Sequence, residues 1–118
     1  MTHKKKILIV GKNKKNNELL SDFFKKNDIS SISVVDLKEA NKKMDDKEIY
    51  LALVDVSGYG SSIWTFLKAL FEKRIPFLVI YPPQIAQKTC PPSGSHGVLT
   101  KPVNPKVLLS LVKNFLAD

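Results

Sequence analysis

Asp55 closes the apolar run Leu51-Ala52-Leu53-Val54, and Lys101 closes Gly97-Val98-Leu99-Thr100 with Pro102 behind it. Lys12 follows Gly11 at the end of another run, Ile7-Leu8-Ile9-Val10. Brought together, these residues offer one carboxylate and two ammonium groups. Such a set suits an ion pair. It is a poor host for magnesium, which wants hard oxygen ligands, commonly one or two carboxylates with water and phosphate. At about 4 Å each Lys–Asp attraction is on the order of 4 kcal/mol at an effective dielectric near 20, before desolvation is subtracted. The expectation is that the Lys12 ammonium pairs with Asp55. The plainer readings are that Asp55 caps nearby amides at a strand end and that Lys12 points to solvent among Lys14 and Lys15.

The elements that must position these residues follow from hydrophobic patterning. Four apolar runs have strand length: Lys6 to Val10, Tyr50 to Val56, Phe77 to Tyr81 and Gly97 to Thr100. A weaker one covers Ser31 to Val35. Runs apolar on both faces suit a parallel sheet covered on both sides. Between them lie helical stripes: Leu19, Leu20, Phe23 and Phe24 within 16–27, then Leu37, Ala40 and Met44, then Ile63, Phe66, Leu67, Leu70 and Phe71. Asp36 with Glu39 reads as a capping box. Asn104-Pro105 reads as an N-cap and first helical residue, leading into Val107, Leu108, Leu111, Val112 and Phe115. Pro82-Pro83 and Pro91-Pro92 leave room for only a weak helix over Gln84 to Thr89, about two turns at most. The order β-α-β-α-β-α-β-(weak α)-β-α predicts an open α/β sandwich with right-handed crossovers. Sites in such sheets form outside the carboxyl ends of the strands, so Asp55, Lys12 and Lys101 should converge at one edge.

The chain has 118 residues and 43% apolar content, enough for one ordinary core. The expectation is a single domain over 1–118, with 1–4 as a mobile tail. One cysteine, Cys90, excludes an internal disulfide framework and a CxxC metal site. No apolar run approaches the roughly 20 residues that cross a bilayer, and the run after the lysine-rich start is too short for a signal peptide. These features lead us to expect a cytoplasmic protein without membrane association. The net charge is +8, with Arg74 the only arginine. A solvated lysine-rich surface accounts for that charge, and nucleic acid is not expected as a partner because base readers favour arginine's bidentate fork. The GxxxxGK[ST] and GxGxxG phosphate-binding patterns are absent. His3 and His96 fall in tail and loop and suggest no ligand. Trp64 is expected in the core, with a partly exposed contact role as the alternative.

The order of elements resembles the receiver domain of two-component response regulators over essentially the whole chain. Leu51-Ala52-Leu53-Val54-Asp55 is similar to the family's third strand, whose terminal aspartate accepts phosphate. Gly97-Val98-Leu99-Thr100-Lys101-Pro102 is similar to its fifth strand, whose lysine contacts the phosphoryl group and whose Lys-Pro peptide is usually cis, making Pro102 a cis-peptide candidate. The resemblance implies a flavodoxin-like three-layer sandwich: a five-stranded parallel sheet of order 2-1-3-4-5 with about five helices, the fourth short or degenerate. It also implies protein partners, a sensor kinase or an output protein.

The departures are as informative. Gly11-Lys12 stands where the family has the acidic pair that holds a divalent cation. Tyr81 takes the place of a threonine or serine that would contact phosphate; it either covers the sheet end or plugs that pocket. Val98 occupies the aromatic switch position. Ser57-Gly58-Tyr59-Gly60 replaces the usual Met-Pro. These changes imply an atypical receiver that acts by protein–protein interaction, with no cofactor and weak or absent magnesium binding. A residual phosphoacceptor role for Asp55, fed by a histidine kinase, is the alternative, since two lysines could balance the roughly −2 charge of a phosphorylated side chain. A homodimer through the last helix region also stays open.

Overall fold

The computed structural model describes residues 5–82, 97–101 and 103–116. Five strands are β1 (Lys6–Val10), β2 (Ser30–Val34), β3 (Ile49–Asp55), β4 (Phe77–Tyr81) and β5 (Gly97–Thr100). The helices among the described residues are α1 (Lys14–Lys26), α2 (Leu37–Lys43), α3 (Ser62–Glu72) and α4 (Pro105–Leu116). The weak helix expected over Gln84 to Thr89 lies outside the described residues, as do the tail 1–4, Cys90, His96 and Pro102.

The strands form one parallel sheet in the order β2-β1-β3-β4-β5. The central runs are apolar on both faces because both faces are covered. Leu8, Val10, Ala52, Val54, Phe77 and Val79 pack with Ala40 of α2 and with Ile63, Phe66, Leu67 and Leu70 of α3. The alternate residues Ile7, Ile9, Leu51, Leu53, Leu78 and Ile80 pack with Phe24 of α1 and with Leu108 and Val112 of α4. Period-two alternation along each strand thus divides one sheet into two cores. No described helix is long and apolar enough to cross a membrane.

Helix ends are set by short polar side chains. Asn13 caps α1 by accepting from the Asn16 amide at 3.0 Å. Asp36 caps α2 by accepting from the Lys38 amide at 2.9 Å; the reciprocal half of the expected capping box, from Glu39, does not form. Asn104 accepts from the Lys106 amide at 2.9 Å and starts α4 as expected. Lys25 and Lys26 close α1, where cations suit the negative end of the helix dipole.

The helical stripes were expected to be broader than they are. Leu19 is 60% exposed, Phe71 54%, Val107 48% and Trp64 43%. A helix turns each residue by about a quarter of a circle, so neighbours such as Leu19 and Leu20 cannot both face the sheet. On α1 the sheet-facing line runs through Asn17, Leu20 and Phe24, and its first member is polar.

Asn17 is only 4% exposed. Its Nδ2 donates to the Gly11 carbonyl at 2.9 Å and to the Val34 carbonyl at 3.4 Å. The side chain thereby ties α1 to the ends of β1 and β2. A Cβ on residue 11 would stand 2.7 Å from the Asn17 Oδ1, so any larger residue there would displace this side chain from its carbonyls. Replacing Asn17 with Ala leaves the Gly11 carbonyl without this donor. We expect a loss of about 1–3 kcal/mol, read as a lower urea midpoint at unchanged denaturant slope.

Candidate functional site

Asp55 ends β3 at the carboxyl edge of the sheet, on the same face as Leu51 and Leu53 and therefore toward α1 and α4. Its Oδ2 lies 2.8 Å from the Lys101 Nζ, with the two side chains 17% and 34% exposed. Its Oδ1 accepts from the Ser57 amide at 3.0 Å. The Lys101 backbone amide donates to the Tyr81 carbonyl at 3.0 Å, so β4 sets where the lysine leaves the sheet. A half-buried carboxylate held by an ammonium and an amide is a charge-assisted arrangement of the stronger kind.

The expected convergence of Asp55 and Lys101 is therefore found. The expected Lys12–Asp55 pair is not. The Lys12 Nζ stands over the ring of Tyr59, 5.1 Å from its centroid, and forms no ion pair with Asp55. The cause lies in the loop after β3. Gly58 takes φ +84, and its position holds the Lys12 side chain close, with Cγ 3.1 Å from where a Cβ would be. That path brings the Tyr59 ring under the ammonium. A cation–π contact at an exposed position contributes about 0.5–1 kcal/mol without the cost of desolvating a second carboxylate partner.

Tyr59 is anchored at its far end. Its hydroxyl donates to the Val35 carbonyl at 2.5 Å, and its own carbonyl accepts from the Ser62 hydroxyl at 2.7 Å. The loop is thus pinned to the end of β2 on one side and to α3 on the other. Gly11 completes the floor: a Cβ there would lie 3.5 Å from the Cβ of Asp55. Tyr81 is 1% exposed and belongs to the core on the α2 and α3 side, so it covers the sheet end rather than plugging the space beside Asp55. Val98 is 38% exposed on β5. The Ser57 hydroxyl is buried with no hydrogen-bond partner among the described residues.

Sequence reasoning missed Asn17 and the role of Tyr59. The signal for Asn17 was its place three residues before Leu20 and seven before Phe24. For Tyr59 it was an aromatic ring between two glycines, directly after the strand that carries Asp55.

Two outcomes follow from this geometry. Lys101→Met leaves the Asp55 carboxylate half-buried without its cation, and we expect a loss of about 1–3 kcal/mol in urea unfolding. Burial first, then the charges of Asp55 and Asp36, push the Tyr59 phenol up to about 12 from an ordinary 10.0. The folded state holds that proton more tightly than the unfolded chain does. The stability it contributes is full below about pH 10 and is lost as pH rises through about 12. Alkaline absorbance titration should show a late phenol that Tyr59→Phe removes; Asp55→Asn should move it down, and Tyr59→Phe should also make the stability loss in that window shallower.

No protein-family model matches the chain, and no curated protein does. Solved structures do match. A response regulator receiver protein from Pseudomonas putida is 20% identical with a TM-score of 0.81, covering 97% of this chain and 99% of that one. A two-component response regulator from Clostridium difficile is 25% identical with a TM-score of 0.78, over 96% of each chain. The receiver domain of a Francisella response regulator is 21% identical with a TM-score of 0.83, covering 96% and 97%. With strands ordered β2-β1-β3-β4-β5 and helices on both faces, the chain has the flavodoxin-like fold of the response-regulator receiver domain.

Proposed function

We propose that this chain is an atypical receiver domain that signals by protein–protein interaction, without magnesium-dependent phosphorylation. The observation that carries the reading is the occupancy of Asp55: an ammonium on one oxygen and a backbone amide on the other. A divalent cation at this edge would need further oxygen ligands. Gly11 supplies no side chain, and Lys12 supplies a positive charge. No group of three or more His, Cys, Asp or Glu that could hold a metal ion occurs among the described residues. One carboxylate beside an ammonium group does not fit magnesium.

Phosphoryl transfer relies on positioning and on neutralising charge at the transferring group. One lysine already bound to the acceptor carboxylate does part of that work, which keeps a residual phosphoacceptor at Asp55 as the second reading. In either case the partner is a protein, a sensor kinase or an output protein; on the first reading the domain is not an enzyme, and on the second its catalysis is confined to its own phosphorylation at Asp55.

Incubation with acetyl phosphate and magnesium, read by intact mass, separates the two. We expect no gain of a phosphoryl mass, and no saturable heat when magnesium alone is titrated calorimetrically. Stoichiometric phosphorylation that Asp55→Asn abolishes would establish the second reading instead.

A further inference from the structure

A cleft of about 660 Å³ opens between α1 and α4 and runs up to the Asp55–Lys101 pair. Leu19, Leu20 and Phe23 of α1 form one wall, Val103 and Leu108 the other, and Ile80 of β4 the floor. Its polar lining is confined to Asp55, Lys101 and Asn16. Helix–helix contacts in a folded core are close-packed, and here two apolar helix faces stand apart above the sheet. Concave apolar space of a few hundred to about 1,000 Å³ with a small number of polar groups at one end is the form of a small-molecule site.

We infer that this cleft binds a small, neutral, largely apolar molecule with one hydroxyl or amide head, placed on Asp55 and Lys101. The chemistry of the pair selects the head. Lys101 has three N–H donors and spends one on Asp55; both carboxylate oxygens keep lone pairs. A hydroxyl or amide can donate to the carboxylate and accept from the ammonium together. An anion would gain from Lys101 and lose to Asp55, and a cation the reverse, because the pair is neutral as a unit. A second copy of the chain is a poorer occupant. The net charge is +8 and α1 carries Lys14, Lys15, Lys25 and Lys26, so a second copy brings like charge against like. The inference concerns the domain with Asp55 unphosphorylated, the state that both readings share.

The test is a backbone-amide NMR titration of the full chain near neutral pH with 2-naphthol, naphthalene and naphthalene-2-sulfonate. We expect 2-naphthol to give saturable shifts confined to Leu19–Phe23, Lys101 and Val103–Leu108. The sulfonate should bind about tenfold more weakly or worse, since it sets a full negative charge on Asp55. Leu19→Trp fills the mouth from an exposed position and should abolish binding while leaving the remaining spectrum unchanged. Lys101→Met together with Asp55→Leu, which removes both partners of the head, should reduce the affinity for 2-naphthol to that for naphthalene. Unsaturable or dispersed shifts, or full affinity in Leu19→Trp, would overturn the site. Tighter binding of the sulfonate would overturn the neutral head. Shifts at these residues that follow protein concentration rather than probe would assign the cleft to a second copy, and also overturn it.

Discussion

One ion pair organises the carboxyl edge of this sheet. Asp55 at the end of β3 and Lys101 just past β5 meet across β4 at 2.8 Å. A carboxylate this far from water needs a partner, since burial of an unpaired charge is costly. Lys101 provides it from two strands away, and the Ser57 amide turns the loop after β3 around the other oxygen. The pair therefore fixes how β3, β4 and β5 end relative to one another, and it fixes the starting direction of the loop that carries Tyr59.

The second cation is kept elsewhere by the same loop. Lys12 and Lys101 both leave the sheet near Asp55, and Lys101 is the one whose ammonium reaches the carboxylate. Lys101 is the better placed, because its backbone amide is already bonded to the Tyr81 carbonyl. Lys12 settles on the face of Tyr59, and Tyr59 is held by the Val35 carbonyl. The ends of β1, β2, β3 and β5 and the start of α3 are thus connected through side chains that meet around Asp55, with Asn17 securing α1 from the other side of Gly11.

The fold was legible in the residues because its signals are local and repeated. The runs at 6–10, 77–81 and 97–100 carry their own boundaries, and the runs near 30 and 50 slip by only one residue. Continuous apolar character on both faces announces a covered parallel sheet before any contact is known. Asp55 and Lys101 were legible as a pair because strand order puts their two strand ends on one rim. Lys12 was misplaced because its partner is chosen by backbone conformation. Whether a lysine reaches a carboxylate or a ring depends on Gly58 taking a positive φ, and neither periodicity nor charge counting reports that. Asn17 went unseen for a related reason: a polar residue on a buried helical line looks like a gap in the stripe until the carbonyls it serves are located.

The way charge is balanced at this edge bears on how such a domain could carry information. The resemblance to receivers implies a switch in which an exchangeable ion and an exchangeable phosphoryl group alter the charge around one aspartate. On the proposed reading, the balance here is made by side chains that cannot leave. Lys101 neutralises Asp55, and Lys12 is withheld by an aromatic ring that is itself bonded at its far end. A rim without exchangeable charge has one resting state, so a signal must arrive as something that docks. The α1–α4 cleft opens directly onto the Asp55–Lys101 pair. An occupant there would meet the same two groups that set the ends of β3 and β5, and by competing for their hydrogen bonds it would act on the constraint that holds this edge together.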